Sequence, residues 1–148
     1  MQARAINKIL IPLAIALVSY LGLGGTTAVF EGSANQSDSS DILYQAFENQ
    51  QSDLQVQGTA RVVKVLPDDT KGSQHQRFIV ETNQGQSILI AHNIDLAPRV
   101  ANLSVGDTVE FFGEYEWNNR GGVIHWTHHD PKNRHPHGWI KHNGETYR

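Results

Sequence analysis

The sequence predicts a mainly β protein whose folded part is a small five-stranded barrel. From residue 55 onward, apolar and polar residues alternate with the period of two that is typical of half-buried strands. Turn-rich stretches interrupt this alternation at residues 67–74, 83–86 and 118–122. The length of 148 residues allows one domain plus a targeting segment, and it is too short for two ordinary domains.

The first 34 residues have the pattern of a secretory signal peptide. Arg4 and Lys8 precede an uncharged run with an apolar core at residues 9–18, and small residues follow. Cleavage after Ala28 or after Ala34 fits this pattern. An uncleaved membrane anchor is the alternative, because the uncharged run approaches the roughly 20 residues that span a bilayer. We therefore expect a periplasmic or secreted protein that is free of the membrane after cleavage, or an anchored one without cleavage.

Residues 35–54 are predicted to form a linker and a short helix. Ser39 or Ser40 is the expected N-cap, and the spacing of the apolar residues is helical. The residues expected on the buried face are Ile42, Leu43, Ala46 and Phe47.

The predicted domain, residues 55–148, contains five strands and one further helix. The strands are expected at residues 55–66, 77–82, 87–92, 109–117 and 123–128. Between the third and fourth strands, Asp95 is the expected cap of a short helix that presents Leu96, Val100 and Leu103 on one face. Three strands, a helix and two strands is the chain order of the OB-fold, a Greek-key barrel. We therefore predict an OB-like barrel, with another five-stranded barrel or a meander as the alternative.

Charge is distributed unevenly along the chain, whose formal net charge is −3. Residues 35–116 carry five Lys/Arg against twelve Asp/Glu, whereas residues 117–148 carry five against two. Because the barrel is acidic and most of its aromatic residues have core positions, nucleic acid is a poorly supported partner. The sequence contains no cysteine, which excludes disulfides, thiolate metal sites and cysteine nucleophiles.

Six of the eight histidines lie after residue 124, in the basic part of the chain. Imidazole is the commonest metal ligand and the side chain that titrates nearest to neutral pH. We predict a site for zinc or another transition metal, although the histidine spacing matches no standard zinc motif. The predicted ligands are His125, His128, His129, Asp130, His135 and His137. The alternative is a set of surface imidazoles that bond to the backbone and pack beside Trp126 and Trp139.

A second set of residues is predicted to bind an unidentified anionic ligand. In OB-folds the binding surface is centred on strands two and three and is bordered by neighbouring loops. Basic and aromatic residues also alternate in the C-terminal segment, which would suit a polyanion or a sugar. The predicted ligand-binding residues are His75, Arg77, His92, Arg134 and Trp139.

Five stretches of the chain resemble a bacterial family of small exported proteins, the domain of unknown function 3465. They are residues 66–69, 75–80, 90–99, 113–118 and 122–131. The resemblance extends from about residue 55 to the C-terminus, and it implies export and a compact β-rich domain. It implies no activity, so no catalytic residue is assigned.

These observations predict an exported module that binds a transition metal or an anionic ligand. Two alternatives stay open. The first is a metal-dependent hydrolase, a nuclease or a phosphoesterase, that uses the same histidines. The second is a structural envelope protein without a ligand. We expect binding rather than catalysis, and the sequence does not predict the oligomeric state.

Overall fold

The computed structural model describes residues 34–148, with side chains from Ser39 onward. The predicted signal peptide therefore lies outside the described residues, except for Ala34, with which the helix α1 begins. Within the described part of the chain, no helix is long and apolar enough to cross a membrane.

The described residues form a mainly β structure, as predicted, with one helix followed by seven strands. The helix α1 is Ala34–Glu48. The strands are β1 (Leu54–Asp69), β2 (His75–Glu81), β3 (Ser87–Asn93), β4 (Thr108–Glu116), β5 (Val123–His125), β6 (Trp139–His142) and β7 (Glu145–Tyr147).

Five of the strands close a ring. Their order is β1-β2-β3-β5-β4, and β4 pairs back onto the first half of β1, from Leu54 to Arg61. The second half of β1 pairs with β2, so this long strand joins two sides of the ring. The strands β3 and β5 run parallel, whereas the other neighbours are antiparallel. Because the ring is closed, each of these five strands pairs with a neighbour on both sides.

The core fills the inside of this ring through the inward positions of each strand. Alternate residues of β2, β3 and β4 are buried, as a period of two requires. The largest fully buried side chains of the strands are Tyr115, Phe78, Phe111, Ile88, Ile90, Ile124 and Ile140. The residues between the inward positions face outward, and these outward residues supply the site described below.

The helix predicted between the third and fourth strands is wrong, because residues 94–107 form turns and irregular chain. Asp95 does not cap a helix; its carboxylate accepts the backbone N–H of Gln74 at 2.8 Å. Pro98 disfavours the helical conformation of the residue before it. The side chain of the buried Gln76 satisfies both backbone polar groups of Val100 in this segment. It donates to the Val100 carbonyl and accepts the Val100 N–H.

The helix α1 begins earlier than the predicted cap at Ser39 or Ser40. Leu43 and Ala46 are buried and Phe47 is half-buried, as predicted, but Ile42 is 49% exposed. The C-terminal end of α1 is held to the barrel by a hydrogen bond from the Trp117 indole to the Phe47 carbonyl.

The C-terminal part of the chain differs from the prediction in two ways. The strand β5 ends at His125 rather than at residue 128, because Trp126 adopts a φ of 54°, which interrupts an extended strand. The strands β6 and β7 were not predicted. They form a hairpin around Asn143 and Gly144, which both have positive φ and make the turn that this dipeptide favours.

Candidate metal centre

The strands β5 and β6 pair with the same edge of β4. His125 is opposite Glu114, and Trp139 is opposite Phe112. The chain therefore turns away from the edge of β4 at Trp126 and comes back to this edge after Gly138. We call residues 126–138 the histidine loop. Compact surface loops whose ends lie close together are frequently functional.

The two ends of the histidine loop are packed tightly against β4. A Cβ atom on Gly138 would lie 1.8 Å from the Trp126 carbonyl oxygen and 2.6 Å from that of Phe112. A Cβ atom on Gly113 would lie 2.5 Å from the His125 carbonyl oxygen. The Gly138 N–H also donates to the His128 carbonyl at 2.9 Å. These contacts fix where the loop emerges, directly beside Glu114.

Asp130 organises the histidine loop from within. Its Oδ1 accepts the N–H of Lys132 at 3.0 Å, and its Oδ2 accepts those of Arg134 and His135 at 2.7 and 3.0 Å. Hydrogen bonds from these backbone groups, first those of Lys132 and Arg134, lower the pKa of Asp130 to about 2. The carboxylate of this predicted ligand is thus bound by the backbone of the loop.

Three histidines of the loop lie away from the carboxylates of β4. The rings of His129 and His137 are exposed and stack on each other, with their centroids 3.9 Å apart. The Nδ1 of His137 accepts the N–H of Asp130. His128 is buried, its Nδ1 bonds to the His129 carbonyl at 2.8 Å, and it packs beside Trp126.

The remaining predicted ligand on β5, His125, faces two carboxylates of β4. Glu114 and Glu116 are two residues apart and point outward on the same face, and Glu114 is directly opposite His125. The His125 Nε2 lies 3.5 Å from an oxygen of Glu114 and 3.8 Å from one of Glu116. This nitrogen is buried and has no hydrogen-bonding partner. One ligand atom from each of the three residues lies within 4.8 Å of the others.

His135 connects the histidine loop to this cluster. Its Nε2 lies 2.6 Å from the second carboxylate oxygen of Glu114, and its Nδ1 lies 2.9 Å from the Pro136 carbonyl oxygen. Its ring stacks on Trp126, with the centroids 4.2 Å apart and the planes 11° from parallel. Burial lowers the pKa of His135, but the hydrogen bonds to Glu114 and Pro136 raise it more, so the pKa lies above its ordinary value.

The five residues predicted to bind an anionic ligand make their described hydrogen bonds and ring contacts with other residues. His92 is in the core, and the Arg77 guanidinium donates to the Pro67 carbonyl. The Trp139 ring lies under the Lys141 ammonium, 4.7 Å from it. Among the residues with described side chains, no hydrogen bond or ring contact joins any two of His75, Arg77, His92, Arg134 and Trp139.

A family model described as "Protein of unknown function (DUF3465)" matches residues 26–148. The chain belongs to this family. The resemblance predicted from the sequence motifs is therefore confirmed, and the match also covers α1. No curated protein matches the chain. The description of the family names no activity.

In this member of the family, Glu114 and Glu116 were not predicted as site residues. Both face outward because they alternate with the buried Gly113 and Tyr115 along β4. The missing information was the register between β4 and β5. The turn of residues 117–122 places Glu116 opposite Val123 and hence Glu114 opposite His125. The turn length between the two strands was the signal that could have revealed this pair.

Proposed function

We propose that the protein binds a divalent transition-metal ion through Glu114, Glu116 and His125. The observation that carries this proposal is the buried Nε2 of His125, which makes no hydrogen bond and faces two carboxylate oxygens at 3.5 and 3.8 Å. Two ligands that each lie about 2.1 Å from a tetrahedral ion are about 3.4 Å apart. The separations in the cluster are close to this value.

The charges around the cluster also favour a cation. Among the residues with described side chains, the ion pairs of Glu114 and Glu116 are with histidines alone and with no lysine or arginine. One imidazole nitrogen with two carboxylate oxygens is a donor set that suits zinc, manganese or iron, whereas calcium and magnesium favour oxygen ligands throughout. The proposed ion is therefore zinc or a neighbouring transition metal.

The same proposal takes the five-stranded ring as an OB-like barrel and the mature protein as exported. The closed ring, in which β5 lies between β3 and β4, supports the OB-like assignment. The basic start, apolar core and small residues at positions 4–34 support export. On this view the metal cluster lies outside the barrel, next to the turn between its fourth and fifth strands.

Binding rather than hydrolysis is proposed because the two clefts described on the surface of residues 39–148 lie away from the cluster. Two clefts of about 360 and 300 Å³ lie elsewhere on the described surface. Neither is lined by Glu114, Glu116 or His125. An enzyme would need a cavity that brings its substrate to the metal ion.

The test is metal analysis and calorimetric titration with zinc of the protein purified without a histidine tag. We expect one ion per chain, and at least a 10-fold loss of affinity in Glu114→Gln, Glu116→Gln and His125→Ala, since each removes the negative charge or the imidazole of one ligand. His129→Ala is the matched control, because His129 is exposed and lies outside the cluster. Circular dichroism checks that each variant is folded.

Two results would count against the proposal. One is less than one bound ion per wild-type chain at saturating zinc. The other is a loss of affinity in His129→Ala as large as that in His125→Ala, because binding would then depend on histidine content rather than on the cluster.

A further inference from the structure

Both ring nitrogens of His135 face groups that can only accept a hydrogen bond. The Nε2 faces the Glu114 carboxylate at 2.6 Å, and the Nδ1 faces the Pro136 carbonyl at 2.9 Å. The Nε2 therefore donates to the carboxylate, and the Nδ1 faces the Pro136 carbonyl. A metal ligand needs a free lone pair on a ring nitrogen, and the nitrogen that donates to Glu114 offers none.

The bond from His135 fixes the orientation of the Glu114 carboxylate. One oxygen, Oε2, accepts from His135, which leaves the other, Oε1, turned toward the Nε2 of His125. His135 is itself held in place by its stack on Trp126 and by the N–H that its backbone donates to Asp130. The carboxylate is thus oriented by a side chain of the histidine loop that lies outside the ligand cluster.

We propose that His135 is a positioning residue of the metal site: it orients Glu114 toward the ion through a hydrogen bond and does not bind the ion itself. The inference rests on the proposed function of the cluster. It changes the role expected for His135, which the histidine pattern suggested as a ligand. Partners that hold the first ligands of a metal are worth about 10- to 100-fold in metal affinity.

The test compares two substitutions of His135 in the full chain. His135→Phe keeps an aromatic ring beside Trp126 but removes the donor, so we expect zinc affinity to fall about 10- to 100-fold. His135→Gln supplies an amide N–H to Glu114, and we expect it to recover most of that loss. His137→Phe is the matched control, because His137 belongs to the same loop but does not contact Glu114.

A spectroscopic measurement separates a positioning role from a merely structural one. Pulsed electron paramagnetic resonance of the copper-loaded protein counts the imidazoles bound to the ion. We expect one in the wild type, one in His135→Phe and none in His125→Ala.

Several outcomes would overturn the inference. Two bound imidazoles in the wild type, with one remaining in His135→Phe, would make His135 a ligand while the proposed metal site stands. Unchanged zinc affinity in His135→Phe would likewise deny it a positioning role without touching the proposed function. A wild-type protein that binds neither zinc nor copper would refute both proposals together.

Discussion

His92 and His125 lie at the ends of neighbouring strands, and their ring nitrogens face different groups. The Nε2 of His92 donates to the Pro98 carbonyl, and its Nδ1 accepts from the Thr127 hydroxyl. Every polar atom of this buried ring is therefore satisfied in the neutral form. His125 instead presents an unbonded nitrogen to two carboxylates. Histidine thus makes buried hydrogen bonds at position 92 and is a candidate metal ligand at position 125.

We predict that protonation of the buried His92 lowers the stability of the protein in acid. Burial lowers the pKa of His92 from 6.5 to about 4. As the pH falls below 6.5, the unfolded chain takes up a proton at this position before the folded chain does. The stability that neutral His92 contributes is therefore complete above pH 6.5 and is lost as the pH falls to 4. This loss amounts to about 3 kcal/mol of unfolding free energy.

Urea unfolding at pH 7 and pH 4 measures this effect. His92→Leu removes the titrating group, so its unfolding free energy should fall by about 3 kcal/mol less than that of the wild type over the same interval. The variant should also be less stable at pH 7, because the Pro98 carbonyl and the Thr127 hydroxyl lose their partner. Equal falls in both proteins would contradict the assignment of this pH dependence to His92.

At the scale of elements, the histidine loop is held by three features at different points along it. Gly138 and Gly113 allow its ends to approach β4, Asp130 binds its backbone, and His135 ties it to Glu114. Trp126 begins it with a φ of 54°, which is unusual for a bulky residue. With this φ, the indole does not follow the alternating inward and outward positions of the strand, and it stacks on His135.

We predict that Asp130→Ala loosens the histidine loop without unfolding the barrel. The substitution leaves the N–H groups of Lys132, Arg134 and His135 without their carboxylate. Hydrogen bonds to an ionised acceptor are stronger than neutral ones, so we expect these three amides to exchange with solvent about 10-fold faster or more. The measurement is amide hydrogen exchange by nuclear magnetic resonance.

The core strands provide the internal control for this measurement. Amides of β2 and β3 should keep their wild-type exchange rates in Asp130→Ala, because these strands do not contact the loop backbone through Asp130. Unchanged exchange of the three loop amides would show that the carboxylate does not organise the loop.

The elements that could be predicted from the sequence are those whose pattern is local. Alternation placed β2, β3 and β4 within about two residues of their observed ends. It extended β5 too far because nothing in the alternation reveals the positive φ of Trp126. The helix between β3 and β4 was predicted from apolar spacing, although Pro98 should have counted against it. The hairpin of β6 and β7 was missed despite the Asn143–Gly144 signal.

The candidate site was predicted only in part for a different reason. His125 was identified from residue type, but its partners come from another strand, and their proximity depends on register and turn length. The separation of other predicted ligands from the cluster could not be predicted either. Asp130 and His137 are engaged by backbone groups, and such local hydrogen bonds do not show in composition.

At the scale of the whole molecule, the cluster forms where the acidic and basic parts of the chain meet. Glu114 and Glu116 belong to residues 35–116, which carry the excess of carboxylates, and His125 belongs to the basic remainder. The pairing of β4 with β5 brings the two parts together. An ion bound at this pairing would link two strands of the closed ring directly.

We therefore predict that zinc raises the thermal stability of the folded protein. Zinc at 100 times its dissociation constant adds about 2.7 kcal/mol to the free energy of unfolding when the unfolded chain binds none. Any zinc that the eight histidines bind in the unfolded chain reduces this value. Differential scanning calorimetry with and without zinc measures the shift in Tm.

The double variant Glu114→Gln, Glu116→Gln is the control for this stabilisation. It keeps the shape of both side chains and every histidine, but it removes the negative charge of two proposed ligands. Its Tm should not rise with zinc. A rise equal to that of the wild type would place the stabilising ion elsewhere in the molecule.

The pairing of β4 shows that the histidine loop interrupts a strand without disturbing its register. His125 is opposite Glu114 and Trp139 is opposite Phe112, so a single residue opposite Gly113 would complete one uninterrupted strand. Inward and outward positions would also stay in step, since Ile124 and Ile140 both face the core. The histidine loop is therefore an insertion at a single position of a strand that would otherwise run on from β5 into β6.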